Sequence, residues 1–209
     1  SDDAVATAVW RGDVEIGPIE SLAEPAPFVP NIAVSRQGPR ELATALVLPR
    51  GHVPGSQRLP VLMDPYGGPH AQRVVASRSA YLNAQWLADQ GFAVVIIDGR
   101  GTPGRGPTWE REIAGDLATP ALDDPVDGLH ALAAANRDLD LTKVAIRGWS
   151  FGGYLAALAV LRRPDVFHAA VAGAPVTDWR LYDTYYTERY LGVDASSSAY
   201  DRSSLIDAA

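Results

Sequence analysis

The stretch Gly148-Trp149-Ser150-Phe151-Gly152 constrains the fold more than any other part of the chain. It matches the G-x-S-x-G nucleophile elbow, in which a serine sits on a tight turn between a strand and a helix. The serine backbone there is strained, so the positions two residues away on either side favour glycine. The apolar residues Val144-Ala145-Ile146 predict the preceding strand, and small residues from Gly153 onward predict a closely packed helix. The alternative is a plain glycine-rich turn from strand to helix.

Strand and helix patterns alternate along the chain from about Leu59 onward. The apolar runs Leu59 to Met63 and Phe92 to Ile97 are typical of strands buried on both faces. Further strands are predicted at Ile32 to Ser35, Leu42 to Leu48, Lys143 to Ile146 and Phe167 to Ala172, and helices at Tyr81 to Gln90, Pro120 to Asn136, Gly152 to Leu161 and Pro175 to Tyr190. This alternation predicts an α/β fold of the α/β-hydrolase type, with a mostly parallel sheet flanked by helices and incomplete at the C-terminal end.

The first 30 residues differ from the rest, because they contain four prolines and no clear periodicity. They are interpreted as a linker or as the tail of a preceding module. Residues 31–209 are then the N-terminal and central part of the hydrolase-type domain. The segment Asp201 to Ala209 is predicted to be a helix leading to a further strand.

Composition excludes several classes of function. The 209 residues carry a formal net charge of −7 and no basic run, which argues against a nucleic-acid partner and weakly against an anionic membrane surface. No apolar run is long enough to predict a membrane span. The chain has no cysteine, which excludes disulfides and thiolate metal sites but leaves the cellular compartment undecided.

An acyl-transfer serine needs donors for the oxyanion of the tetrahedral intermediate. One expected donor is the backbone N–H of Phe151, the residue after the nucleophile. A second must come from the loop after an earlier strand, where Tyr66-Gly67-Gly68-Pro69 lies. The Tyr66 hydroxyl could reach the site, although a tyrosine that only packs is the alternative.

Apolar and aromatic side chains recur downstream of the elbow at spacings of 3, 3 and 4, at Val176, Trp179, Tyr182 and Tyr186. This spacing predicts one helical face. Such a stripe is core more often than pocket. Here it follows a strand end at the edge of the sheet where Ser150 is expected, so it could form a ring-lined slot for a proline or alanine side chain.

These blocks resemble the prolyl oligopeptidase family of serine peptidases, and most closely its dipeptidyl peptidase IV branch. The matching segments are Tyr66-Gly67-Gly68-Pro69, Asp98-Gly99-Arg100-Gly101, Gly148 to Tyr154, Ala174-Pro175-Val176, and Trp179 through Tyr190. The likeness runs from about Asn31 to the C-terminus. Phe151 is commonly tyrosine in relatives, so the ring is kept.

The resemblance implies a serine exopeptidase that releases N-terminal dipeptides after proline or alanine. It assigns Ser150 as the nucleophile, and the Tyr66 hydroxyl and Phe151 N–H as the oxyanion hole. It places Phe151, Val176, Trp179, Tyr182 and Tyr186 around the residue before the scissile bond. It implies a peptide as substrate and no metal or cofactor. It also implies an N-terminal β-propeller and a C-terminal remainder of the hydrolase domain in the parent protein, and leaves oligomer formation open.

The remaining triad members are expected to lie outside this chain. The α/β-hydrolase order is serine, then acid, then histidine, and only Asp165 and His168 follow Ser150 in that order. His168 would begin the next strand, at the sheet edge opposite the active site. His52, His70 and His130 precede the serine, and His70 is the nearest of them to the expected oxyanion loop. The 209 residues alone are therefore predicted to be inactive.

Other interpretations compete with a dipeptidyl peptidase. An acylaminoacyl peptidase or an esterase would use the same fold, and a non-catalytic binding relative is a further alternative. The run Gly99 to Gly104 fits the G-x-G-x-x-G fingerprint of a dinucleotide-binding domain, but Pro103 obstructs the helix that this fingerprint needs.

Two acidic positions have local explanations. Asp98 is expected to hold its own glycine-rich loop rather than to touch substrate. The pair Asp123-Asp124 is expected to be a solvated helix N-terminus rather than a cation site.

Overall fold

The computed structural model describes residues 7–208 except residues 21, 23 and 25. The strands, in chain order, are β1 Thr7–Arg11, β2 Val14–Ile19, β3 Ile32–Gln37, β4 Leu42–Val47, β5 Leu59–Met63, β6 Ala93–Asp98, β7 Leu139–Trp149 and β8 Ala169–Gly173. The α-helices are α1 Leu82–Ala88, α2 Pro107–Arg111, α3 Thr119–Ala135, α4 Phe151–Arg162, α5 Thr184–Leu191 and α6 Ser198–Ser203. Short 3₁₀ helices span Arg78–Tyr81, Trp179–Leu181 and Ile206–Ala208. Within the described residues, no helix has the length and apolar character to cross a bilayer.

The N-terminal segment contains a hairpin that the sequence pattern does not predict. β1 and β2 pair antiparallel in a two-stranded sheet of their own, with a register shift between Val9 and Trp10. Large apolar side chains on both strands are exposed, Trp10 at 58% and Val14 at 67%. A hairpin with no buried face shows no hydrophobic alternation, which is why this segment resembles a linker in sequence. Residues 1–6 of that predicted linker lie outside the described residues.

The main sheet has six strands in the order β3-β4-β6-β5-β7-β8. β3 pairs antiparallel with β4, and β4 pairs antiparallel with β6. The pairs β5–β6, β5–β7 and β7–β8 are parallel. The expected α/β fold is confirmed, as a mixed sheet whose parallel part holds four strands.

Helices cover the sheet through two separate apolar layers. In β6, Val94 and Ile96 pack in the layer beneath α1, while Val95 and Ile97 pack in the layer beneath α3 and α4. All six residues of β6 are buried. Because this strand is covered on both faces, its sequence is an unbroken apolar run, and the predicted strand is confirmed.

The parallel strands bring four loops to one edge of the sheet. β5, β6, β7 and β8 all end there, so the segments beginning at Asp64, Gly99, Ser150 and Ala174 lie along the same edge. Ligand sites in open α/β sheets form at this carboxyl edge.

Two predicted helices are broken in the structure. The segment 175–190 holds a 3₁₀ turn at Trp179–Leu181 and then α5, because Asp178 and Asp183 cap two separate helix starts. The prediction that Val176, Trp179, Tyr182 and Tyr186 share one helical face is therefore wrong. The second predicted helix, Asp201 to Ala209, is not continuous. Its first residues are the end of α6, which stops at Ser203, and a 3₁₀ turn follows at Ile206–Ala208. Ala209 lies outside the described residues.

Candidate active site

Ser150 occupies a sharp turn between β7 and α4. β7 ends at Trp149 and α4 begins at Phe151, and Ser150 between them has φ 57° and ψ −117°. Its N–H donates to the carbonyl of Gly173 at the end of β8 (2.9 Å), and its carbonyl accepts from Tyr154 N–H (2.9 Å). A residue with a Cβ rarely adopts this left-handed conformation, so the backbone is strained where the side chain meets the sheet edge.

The glycines around Ser150 are explained by close backbone contacts. A methyl group at Gly148 would overlap the backbone of Gly152, and one at Gly153 would overlap the carbonyl of Gly173. At Gly152 a Cβ would lie 3.0 Å from the carbonyl oxygen of Pro65. The turn, the helix after it and the loop after β5 therefore approach one another at backbone distance.

The loop after β5 packs against the start of α4. A Cβ at Gly68 would collide with the ring of Phe151, and the rings of Tyr66 and Phe151 lie 6.0 Å apart. Burial raises the pKa of the Tyr66 phenol, while hydrogen bonding to the Ser150 side chain acts in the opposite direction. Tyr66 thus lies beside Ser150 as a neutral hydroxyl.

The seven residues singled out in the sequence line one small cavity. Its lining is Tyr66, Ser150, Phe151, Val176, Trp179, Tyr182 and Tyr186. The Trp179 ring is stacked on Tyr186 at 5.8 Å with 12° between the planes, and it also contacts Phe151 at 5.6 Å and Tyr182 at 5.9 Å. Burial raises the pKa of Tyr186 far above its usual value. The result is a ring-lined slot that opens beside the Ser150 hydroxyl.

Two buried carboxylates fix the loop that carries Tyr66. Asp98 accepts from the backbone N–H groups of Arg73 (3.0 Å) and Val74 (2.7 Å). Asp64, at the end of β5, pairs with Arg73 (3.1 Å) and with Arg147 on β7 (3.3 Å). Burial raises the pKa of both acids, Asp64 and Asp98, while their hydrogen bonds and the nearby arginine charges act in the opposite direction. The prediction that Asp98 holds its own glycine-rich loop is wrong, because it holds the loop of the neighbouring strand.

Asp124 takes the role predicted for Asp98. It is fully buried, accepts from the Arg100 backbone N–H (2.6 Å) and pairs with the Arg100 guanidinium (2.9 Å). A Cβ at Gly99 would overlap the Asp124 side chain. The prediction of a solvated Asp123-Asp124 helix start is therefore wrong for Asp124. Among the described residues, no group of three or more His, Cys, Asp or Glu side chains could hold a metal ion.

The glycine-rich run after β6 does not form a dinucleotide site. The next helix, α2, begins only at Pro107, and the Arg100 N–H is already bonded to Asp124. The fingerprint requires a helix that starts within the motif and presents free N–H groups to a pyrophosphate.

The four histidines lie at different places. His52 bonds Asp138 (2.8 Å), just before β7 and so at the opposite edge of the sheet, and His168 accepts from Val144 N–H (3.1 Å) at the start of β8. His130 is on the exposed side of α3. His70, in the loop after β5, has its Nε2 2.7 Å from the hydroxyl of Tyr190. Within the part of the chain that the structure describes, no histidine is hydrogen-bonded to Ser150.

Sequence reasoning missed three residues that shape this site, namely Asp64, Arg73 and Tyr190. Asp64 directly follows a buried strand and precedes Pro65, which was the available signal. Arg73 and Tyr190 have partners 9 and 120 residues away, and no local pattern marks such pairs.

We expect Asp98→Asn to destabilise the protein by about 1–3 kcal/mol, because both carboxylate oxygens lie 3.0 Å from the Arg73 nitrogen and the amide NH2 of asparagine would face that N–H as a second donor. The matched control is Asp127→Asn, since Asp127 is an exposed acid paired with Arg40 and should change stability by about 0.5 kcal/mol or less. Thermal denaturation of both variants checks this. Equal midpoints for the two would contradict the assigned role of Asp98.

Comparisons with known proteins agree with this geometry. The profile of the prolyl oligopeptidase family matches residues 78–209. Dipeptidyl peptidase 8 of Homo sapiens is 42% identical over 149 residues, covering 70% of this chain and 16% of the relative. Dipeptidyl peptidase family member 1 of Caenorhabditis elegans is 35% identical over 146 residues, covering 69% of this chain and 18% of the relative. The chain thus spans less than a fifth of the length of these two relatives.

Solved structures show the same likeness in three dimensions. Dipeptidyl peptidase 4 of Porphyromonas gingivalis matches with a TM-score of 0.77 and 34% identity, over 86% of this chain and 25% of that one. A Bacteroides ovatus protein described as a dipeptidyl aminopeptidase IV matches with a TM-score of 0.84 and 30% identity, over 93% of this chain and 28% of that one. The strained serine turn, the family profile and these structures lead to one assignment: the chain belongs to the prolyl oligopeptidase family.

Proposed function

We propose that the full-length protein is a serine exopeptidase that releases N-terminal dipeptides after proline or alanine. The observation that carries this proposal is the single cavity in which the Ser150 hydroxyl, the Tyr66 hydroxyl and a ring-lined slot meet. The relatives named as dipeptidyl peptidases support the substrate class. Within this proposal, residues 31–209 form the N-terminal and central part of the peptidase domain, and the preceding residues connect to a β-propeller.

The residues of the cavity have distinct roles in this reaction. The Ser150 oxygen attacks the carbonyl of the penultimate residue, and its proton passes to a general base and then to the departing amine. The negative charge on the carbonyl oxygen is received by the Phe151 N–H and the Tyr66 hydroxyl. Water then hydrolyses the ester on Ser150 and releases the dipeptide.

The slot explains the preference for small apolar residues. Phe151, Val176, Trp179, Tyr182 and Tyr186 would enclose the side chain that precedes the scissile bond. Flat ring walls favour the ring of proline or the methyl group of alanine, because longer side chains would have to displace buried rings. The substrate is thereby held with its carbonyl facing Ser150.

The general base and its orienting acid are proposed to come from outside these 209 residues. The His52–Asp138 pair lies at the amino ends of the strands, and β7, with its 11 residues, separates it from Ser150. Residues 141–143 of β7 lie in a register irregularity, and the other eight residues, at about 3.3 Å each, span roughly 25 Å, too far for proton transfer. The 209-residue segment alone is therefore expected to lack turnover.

A substrate panel on the full-length protein and on the 209-residue segment tests the proposal. Peptides with proline or alanine in the second position should be cleaved by the full-length protein, with a free dipeptide as product, and not by the segment. Preferential cleavage of acylated amino acids or simple esters would point instead to an acylaminoacyl peptidase or an esterase. No turnover of any substrate by the full-length protein would favour a binding relative, and turnover by the segment would refute an external base.

Replacement of Tyr66 by phenylalanine should lower kcat/KM by about 100- to 1000-fold with a stable fold, as expected when one oxyanion donor is removed. Burial holds the pKa of this phenol above its ordinary value, so the hydroxyl stays protonated in neutral and mildly alkaline solution. The loss should thus be the same at about pH 7 and about pH 9. Full activity in this variant would remove Tyr66 from the proposed oxyanion hole.

A further inference from the structure

His70 lies at a strained position next to the proposed oxyanion loop. It follows Pro69 directly and has φ 71°. Among the described residues, the other positive-φ residues besides glycine are Glu41, Ser150 and Ala174. Three of these four, His70 included, follow the carboxyl ends of β5, β7 and β8. Backbone strain of this kind persists where the surroundings enforce it and gathers at functional sites.

The imidazole of His70 contacts two tyrosines of α5. Its Nε2 lies 2.7 Å from the hydroxyl of Tyr190. Its ring stands edge-on to Tyr186, with centroids 5.7 Å apart and 89° between the planes, and lies 5.9 Å from the Tyr190 ring. One side chain of the loop after β5 therefore contacts two of the three tyrosine rings of the neighbouring helix.

These contacts continue into the slot beside Ser150. Tyr186 and Tyr190 are one helical turn apart, and their rings are 5.1 Å from each other. Tyr186 is stacked on Trp179, which in turn contacts Phe151. A continuous chain of rings thus links His70 to the residue that follows the nucleophile.

We propose that His70 is a positioning residue that joins the loop carrying Tyr66 to the helix carrying Tyr186. This inference rests on the proposed function. By holding Tyr190 through a hydrogen bond and Tyr186 through an edge contact, His70 fixes one wall of the slot relative to the oxyanion donor. His70 therefore affects the position of the bound substrate in the slot. The reactivity of the Ser150 hydroxyl does not depend on His70.

The consequence is a selective effect on proline. A pyrrolidine ring fills more of the slot than a methyl group and touches more of its wall, so it is more sensitive to a displaced Tyr186. Removing the His70–Tyr190 hydrogen bond by changing either residue should lower kcat/KM for proline substrates more than for alanine substrates. The His70–Tyr190 bond is solvent-exposed, so the effect should be moderate.

The test is a double-mutant cycle with His70→Gly and Tyr190→Phe in the full-length protein. Glycine accepts the left-handed backbone at position 70 without strain, and phenylalanine removes only the hydroxyl. Tyr185→Phe is the matched control, because Tyr185 lies on the same helix with 80% of its surface exposed. The readouts are kcat and KM for proline and alanine dipeptide substrates and the rate of labelling of Ser150 by a small fluorophosphonate.

Each single variant and the double variant should lose about five- to tenfold in kcat/KM for proline, mainly through KM, and about twofold for alanine. Labelling of Ser150 and the Tyr185→Phe control should stay within about twofold of the parent protein. Additive losses in the double variant, equal losses for proline and alanine, a parallel fall in labelling, or no loss at all would each overturn the inference. Failure of the parent protein to cleave either substrate would instead refute the proposed function, and the inference with it.

Discussion

Replacing Ser150 by alanine should lower kcat/KM on proline dipeptide substrates by about four to six powers of ten, as expected when a nucleophile is removed from a serine hydrolase. Alanine keeps the Cβ atom of serine, so the backbone at φ 57° is no more strained than in the parent protein. No helix cap is lost, because the Ser150 side chain does not cap α4. The fold should therefore be retained, with an unchanged thermal midpoint. The change removes the attacking oxygen and little else.

The matched control for this variant is Ser196→Ala. Ser196 is an exposed serine whose hydroxyl donates to Asp194 (2.6 Å), and it does not line the cavity at Ser150. Its loss should leave kcat/KM within about twofold of the parent value. More than about 1% residual activity in Ser150→Ala, with contaminating peptidases excluded by an active-site label, would show that another group performs the attack.

Gly148→Ala should cost about 4 kcal/mol or more, a large part of the roughly 5–15 kcal/mol by which natural domains are stable. The added methyl group would overlap the backbone carbon and oxygen of Gly152, which belong to the first turn of α4. These atoms cannot rotate away as a flexible side chain would, so relief requires moving α4 off β7 and β8. Activity should be lost together with the fold.

Gly17→Ala is the matched control, because it makes the same chemical change in β2, where a Cβ would meet nothing within 4 Å. That variant should stay within about 0.5 kcal/mol of the parent protein. Soluble yield and thermal denaturation followed by circular dichroism measure both. A Gly148→Ala protein with the control's midpoint would mean that the turn can relax and that the steric account is wrong.

The sequence predicted the sheet well where burial is complete. The unbroken run Phe92 to Ile97 became β6, and the glycine pattern around Ser150 became the turn between β7 and α4. Both signals are local, because a doubly covered strand must be apolar throughout and a backbone contact at Gly148 excludes every other residue type. The residues that the sequence assigns to the slot also line one cavity in the structure, and their role toward a substrate stays a prediction.

What could not be predicted depends on partners distant in sequence. Asp98 and Asp124 are both buried acids beside glycine-rich loops, and only the fold shows that Asp98 binds residues 73 and 74 while Asp124 binds Arg100. Four of the slot residues, between Val176 and Tyr186, have the spacing of one helix, yet Asp178 and Asp183 interrupt that helix as caps. A side chain that can cap a helix competes with helix continuation, and periodicity alone does not decide between them.

The hydrogen bond from the Ser150 amide to the Gly173 carbonyl limits how this protein can stabilise charge. That amide is bonded to the sheet, so the turn itself offers the Phe151 N–H as its backbone donor, and the second proposed donor is the side-chain hydroxyl of Tyr66. A backbone donor survives almost every point mutation, whereas a phenol is lost by a single base change in its codon. In the proposed oxyanion hole, the Tyr66 half is therefore the one that a single mutation removes, and such a mutation would greatly weaken the proposed catalysis while the fold and the ring-lined slot are retained.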